Sequence, residues 1–359
     1  MINRGRLLKT FLELVAIPSP SGTEKAVAEA IAAKLQTLGL EVKRDLVGNI
    51  LTRLEGQGEP LLLTAHMDTV GPCERVTPVV EGDTVRSDGS TILGADDKSG
   101  VAVILEVLAV LKERALPHRP LEVLFTVEEE TGLGGAKGCD LSQLRARMGI
   151  GLDAGGEPGT IVVSAPSHDE LWAQIHGRAA HAGVSPEQGI SAIQVAAEAI
   201  AAMPLGRIDE ETTANIGTIC GGSATNVVPE MVTLQGEARS HNELKLQAQT
   251  RAMVEALEHS AAAHSARAEI KVTRLYTAYT FDENTPIVHL VSQAMRSMGV
   301  QPLLQPTGGG SDANVFNAEG MSVVQISAGM HAVHTSEERA SLAEMLATAQ
   351  IIHSAVRGR

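Results

Sequence analysis

The sequence predicts an α/β protein whose mainly parallel sheet is flanked by helices and interrupted by an inserted ferredoxin-like α+β domain. Three observations carry this expectation. The first third alternates short apolar runs with helical periodicity in strand–helix–strand order, the middle follows a βαββαβ pattern, and the α/β texture returns after about residue 280. The larger domain then takes residues 1–166 and 279–359, and the inserted one 167–278. A length of 359 residues also exceeds one ordinary core.

Element by element, Ser21-Gly22-Thr23-Glu24 reads as a capping box ahead of Val27, Ile31, Leu35 and Leu38, with Gly39 as the stop. Apolar runs at 61–65 and 121–127 predict strands, and 101–112 predicts the helix between them. That order implies a parallel sheet, with any site at the carboxyl ends of its strands. In the insert, strands are expected at 171–176, 213–219, 231–239 and 268–273, with helices at 190–203 and 243–264. An open sheet edge there needs covering, and pairing with a second subunit is one solution. Helices near 285–298 and after Ser336 complete the chain.

Hydrophobic residues make up 43% and charged residues 20%, a globular balance; aromatics are only 2%, so Val, Leu, Ile and Ala must build the core. The net charge of −14 and the scattered Lys and Arg argue against a nucleic-acid partner. Cys73, Cys139 and Cys220 are too few and too far apart for a disulfide framework or a metal knuckle. No stretch approaches the roughly 18 apolar residues of a membrane span. A cytoplasmic, reduced protein is expected.

Five motifs carry chemistry. Thr64-Ala65-His66-Met67-Asp68 ends an apolar run, and on an extended chain His66 and Asp68 project to one side. Asp96 and Asp97 are adjacent carboxylates, which calls for a cation, a raised pKa or free solvation. Glu128-Glu129-Glu130 follows a strand, and one Glu binds metal only if the chain turns locally. Asp153 lies among glycines, and His331 and His334 precede the final helix. Singly, the first also reads as a structural His–Asp hydrogen bond, and the others as an acidic first helical turn, a solvated loop start, a turn or polar surface. Together, two histidines and three carboxylates suffice for a metal pair about 3.5–4 Å apart with a shared carboxylate. Zinc suits these donors, as do cobalt and manganese.

In order, HMDTVGP, GADDKSG, VEEETG, GLDAGG, AAHAGVSPEQG, NVVPE and HTSEE resemble the peptidase T and glutamate carboxypeptidase family of dizinc exopeptidases over nearly the whole chain. The resemblance implies a zinc-exopeptidase-like fold with two zinc ions. It assigns His66 and Asp153 to one metal, Glu130 and His334 to the other, and Asp96 to the bridge, with a cis Asp96–Asp97 peptide. Glu129 would be the general base and Asp68 the partner of His66; His331 has no assigned role. The glutamyl aminopeptidase type shares several of these stretches, but Ala179-Ala180-His181-Ala182-Gly183 resembles the dimer-forming lid of the first family. There His181 would reach the site of the neighbouring subunit in a homodimer. Asn226 and Arg239 match positions that contact substrate. Where peptidase T itself has a substrate-binding arginine, this chain has Gly308. The expected activity is peptide-bond hydrolysis near the terminus of small peptides, as in a tripeptide aminopeptidase. An N-acyl-amino-acid deacylase or carboxypeptidase on the same scaffold, or a non-catalytic peptide-binding dimer, is the alternative.

Overall fold

The computed structural model describes residues 1–357, so the last two residues of the expected 279–359 segment lie outside the described residues. The chain divides into two compact units: 1–163 with 280–306 and 311–359, and 164–279 with 307–310.

In the first unit, four adjacent central strands run parallel: Leu121–Thr126, Leu61–His66, Met148–Gly155 and Ser322–His331. The first two are buried at every position, as expected of strands covered on both faces. The wings are antiparallel, with Ile50–Leu54 and Val42–Arg44 on one side and Arg339–Ser341, Thr84–Ser87 and Pro78–Glu81 on the other. The helix Ala95–Arg114 packs on these strands and is buried from Ala95 through Leu111. Its core is aliphatic, with Phe11, Phe125 and Phe316 among the few aromatic members of the interior.

In the second unit, a five-stranded antiparallel sheet is ordered Gly206–Arg207, Thr212–Gly221, Met231–Ser240, Ser167–His176, Arg267–Tyr276. Leu171, Ala173 and Ile175 alternate inward and meet Val232 and Leu234 beneath the helices Ala192–Ala202 and Glu243–Ala263. Apart from the two-residue strand, this is the ferredoxin-like arrangement.

Two local expectations change. The helix after Ser21 begins at Lys25, and its N-cap Glu24 makes no capping bond. Glu24 and Ser21 instead serve partners far along the chain, described below. The last helix, Leu342–Arg357, starts later than expected because Arg339–Ser341 first adds a strand. No helix of the described residues is long and apolar enough to cross a membrane.

Candidate metal centre

The carboxyl ends of the four parallel strands converge on one acidic cluster. His66 is the last residue of its strand, Glu129 and Glu130 follow Thr126 by three and four positions, Asp153 lies near the end of Met148–Gly155, and His334 follows His331 by three. Asp96 enters from the head of Ala95–Arg114, where Asp96 and Asp97 are non-helical and joined by a cis peptide.

These side chains interlock. His66 Nε2 lies 3.0 Å from Asp96 Oδ1, and His334 Nε2 lies 3.3 Å from Asp96 Oδ2 and 2.8 Å from Glu130 Oε1. Three groups bring ligand atoms within 4.8 Å of one another: His66, Asp96 and Asp153; His66, Glu129 and Glu130; and Asp96, Glu130 and His334. Asp96 belongs to the first and third. His331 stays apart and pairs with Glu344 at 2.7 Å.

The local turn required of the Glu run is present, with Glu128 at φ 52°. Four successive amides there are held by side-chain acceptors. Val127 N donates to Asn49 Oδ1 (3.0 Å), Glu128 N to Glu24 Oε1 (3.0 Å), Glu129 N to Asp68 Oδ1 (3.0 Å) and Glu130 N to Asp68 Oδ2 (3.1 Å). Ser21 Oγ also donates to Asp68 Oδ2 at 2.7 Å. Asp68 is thus more than the partner of His66. His66 Nδ1 lies 2.9 Å from the Asp68 carbonyl oxygen and 3.4 Å from its carboxylate. Gln325 performs a similar service for Asp153, accepting from Asp153 N (3.2 Å) while donating to Ser311 Oγ (3.0 Å). Asp312, buried, accepts from Thr126 Oγ1 at 2.5 Å.

The charge balance fits a cation. Burial and then the Asp96 charge raise the Asp153 carboxyl well above the usual range. Burial and then Asp153 do the same to Glu129, and burial holds Asp312 up at about 6. Burial opposes ionisation of Asp96, but the His334 and His66 hydrogen bonds outweigh it and keep the group low. His334, bonded to Asp96 and Glu130, is pushed up to about 10. Excess buried negative charge with two imidazoles among it is the donor set that divalent ions neutralise.

The remaining expected residues lie in the second unit. His181 is exposed; its Nδ1 accepts from Gly183 N at 3.2 Å, and Ala182 N donates to Asn226 O at 3.0 Å. Arg239 is engaged by Glu237 through Nε (3.1 Å) and Nη2 (2.9 Å), with Nη1 3.5 Å from the carbonyl of Gly308. A Cβ built on Gly308 meets nothing within 4 Å. Sequence reasoning gave no role to Asn49, Gln325, Asp312 or Glu338, and read Ser21 and Glu24 as a helix cap.

The chain is similar over its length to proteins already known. It is 42% identical over 362 residues to the uncharacterized protein YqjE of Bacillus subtilis (strain 168), covering 98% of each chain. The aminopeptidase PepT of Bacillus cereus is 40% identical with a TM-score of 0.89, over 99% of this chain and 98% of that one. A tripeptidase of Staphylococcus aureus is 39% identical with a TM-score of 0.94, over the same shares. The description of peptidase family M20/M25/M40 fits residues 62–358, and the chain belongs to that family of peptide-bond hydrolases.

Proposed function

We propose that this protein is a dinuclear metal aminopeptidase acting on small peptides, tripeptides foremost. The single observation that carries the metal part is Asp96, whose two carboxylate oxygens face His66 and His334 separately. The similarity to an aminopeptidase and a tripeptidase at about 40% identity supports the substrate class.

His66 and Asp153 would hold one ion, Glu130 and His334 the other, and Asp96 both. With only nitrogen and oxygen donors the site suits zinc, and equally cobalt or manganese. When bound, such ions polarise a carbonyl and lower the pKa of water. Glu129 takes the proton of the attacking water and returns it to the leaving amine. Its amide is anchored on Asp68, so the base sits on a fixed backbone. Asp68 further fixes the ring of His66. In a homodimer joined through the second unit, His181 of one copy would support the oxyanion in the site of the other. Asn226 would assist there, and Arg239 would receive the substrate carboxylate, shared with Glu237. Gly308 supplies no second cation, so that carboxylate is held less firmly than an arginine would hold it. A reducing cytoplasm suits the three free cysteines.

The test is a panel of tripeptides, dipeptides and N-acetylated amino acids given to metal-replete protein, with product identification. Release of the amino-terminal residue from tripeptides supports the proposal. Cleavage of only acetylated amino acids points to a deacylase, release of the carboxyl-terminal residue to a carboxypeptidase, and binding without turnover to a non-catalytic dimer. Glu129→Gln should keep its metal and lose turnover; substantial residual activity would remove Glu129 from the role of base.

A further inference from the structure

Glu338 is a carboxylate with only 1% of its surface exposed, and it belongs to none of the three ligand groups. Both its oxygens are occupied. Oε2 accepts from Gly94 N at 2.6 Å, and Oε1 from Asp96 N at 3.1 Å. Those amides need an outside acceptor. Gly94 is the N-cap of Ala95–Arg114 and Asp96 lies in its first turn, where an amide has no carbonyl four residues earlier within the helix to bond to. Glu338 itself is closed onto the loop of His334, because its amide donates to Thr335 O at 3.1 Å. One side chain therefore ties the segment bearing Asp96 to the segment bearing His334, whose facing atoms lie 3.3 Å apart. Burying a carboxylate is costly, and an apolar side chain would serve mere packing better. What an apolar side chain lacks is a fork of two acceptors for two amides two residues apart.

We propose that Glu338 is a positioning residue that sets the placement of Asp96 against His334, and through it the affinity of the site for its second ion. This rests on the dinuclear reading above. Wild type, Glu338→Gln and Glu338→Asp, stripped of metal, are titrated with zinc or cobalt(II) against a competing chelator, well below each protein's thermal midpoint. In Glu338→Gln one amide N–H faces an NH2 group instead of an oxygen, and the second ion is expected to bind about tenfold more weakly or worse, the usual scale for a lost outer partner of a ligand. The cobalt absorption bands should change with it. Glu338→Asp keeps the charge on a shorter stem and should fall between. Wild-type affinity and spectrum in Glu338→Gln, beside a wild type that binds two ions, overturn the role of Glu338 and leave the dinuclear reading standing. A wild type that binds no ions overturns that reading itself. Amide exchange in the metal-free wild type tests the same contact without a variant: slow exchange at Gly94 and Asp96 is expected, and fast exchange at both overturns the proposal.

Discussion

Replacing Asp68 with Asn removes one charge and no volume, which makes it the sharpest probe of how the proposed base, Glu129, is held. The carboxylate is fully buried and accepts from Glu129 N, Glu130 N and Ser21 Oγ. An amide presents one oxygen only. With its NH2 at the Oδ2 position it opposes both Glu130 N and the Ser21 hydroxyl; at Oδ1 it opposes Glu129 N and faces His66 Nδ1 at the longer distance of 3.4 Å. The second orientation is cheaper, because it keeps both bonds at Oδ2 and gives up one hydrogen bond with a longer contact to His66, and it sacrifices the anchor of the proposed base. An unsatisfied buried N–H costs about 1–3 kcal/mol. Relief of repulsion from the neighbouring carboxylates offsets part of the weakening of the other two bonds, so the net loss is about 2 kcal/mol. If that loss falls on the placement of Glu129, kcat drops about thirtyfold at about 1.4 kcal/mol per factor of ten. Steady-state kinetics on a tripeptide, with metal content and thermal midpoint measured on the same preparation, read the effect. Ser21→Ala loses only the hydroxyl and should be milder. Asp68→Asn with wild-type kcat, or Ser21→Ala as damaging as Asp68→Asn, would refute the reasoning.

Three further outcomes are expected. A Cβ on Gly151 would lie 1.9 Å from Gln325 Oε1, so Gly151→Ala must displace Gln325 from Asp153 N; overpacking of this kind costs about 1–3 kcal/mol, and a thermal melt should show partial recovery in Gly151→Ala/Gln325→Ala. Gly308 has open space around it, so Gly308→Arg should fold normally and lower KM for tripeptides with a free carboxyl terminus but not for their amides. Glu237, 3.3 Å from His168 Nε2 and hydrogen-bonded by Arg239, has its carboxyl held down at about 2 by those two neighbours. A lowered folded pKa contributes stability that is whole above the ordinary glutamate value and is lost as pH falls toward 2. Acid unfolding of the wild type should therefore steepen below about pH 4.5, and Glu237→Gln should flatten that limb.

The fold was legible wherever a local period reports a local environment. Mainly apolar runs at 61–65 and 121–127, interrupted by Thr64 in the first and by Glu122 and Thr126 in the second, mark strands covered on both faces, and alternation at Leu171, Ala173 and Ile175 marks a half-covered one. The antiparallel wings were not legible, because Thr84–Ser87 and Arg339–Ser341 are short and their partners are distant in sequence. The capping-box pattern shows the limit well. Its residues are present and their side chains do bond, but Glu24 reaches an amide 104 positions away and Ser21 a carboxylate 47 away.

The same asymmetry separates the proposed ligands from the residues that hold them. Metal chemistry admits few side-chain types, so His66, Asp96, Glu130, Asp153 and His334 stand out by type and by their places after apolar runs. The groups that position them bond mostly to backbone amides, and every residue except proline carries one. Glu338 meets Asp96 N across 242 positions and Gln325 meets Asp153 N across 172, and neither pairing leaves a periodicity, a charge pattern or a spacing to read. Such anchors become visible only when the chain is folded. They also decide what a substitution beside the ligands does: a change at Asp68, Gln325 or Glu338 leaves every donor atom in the chain and alters where the donors point.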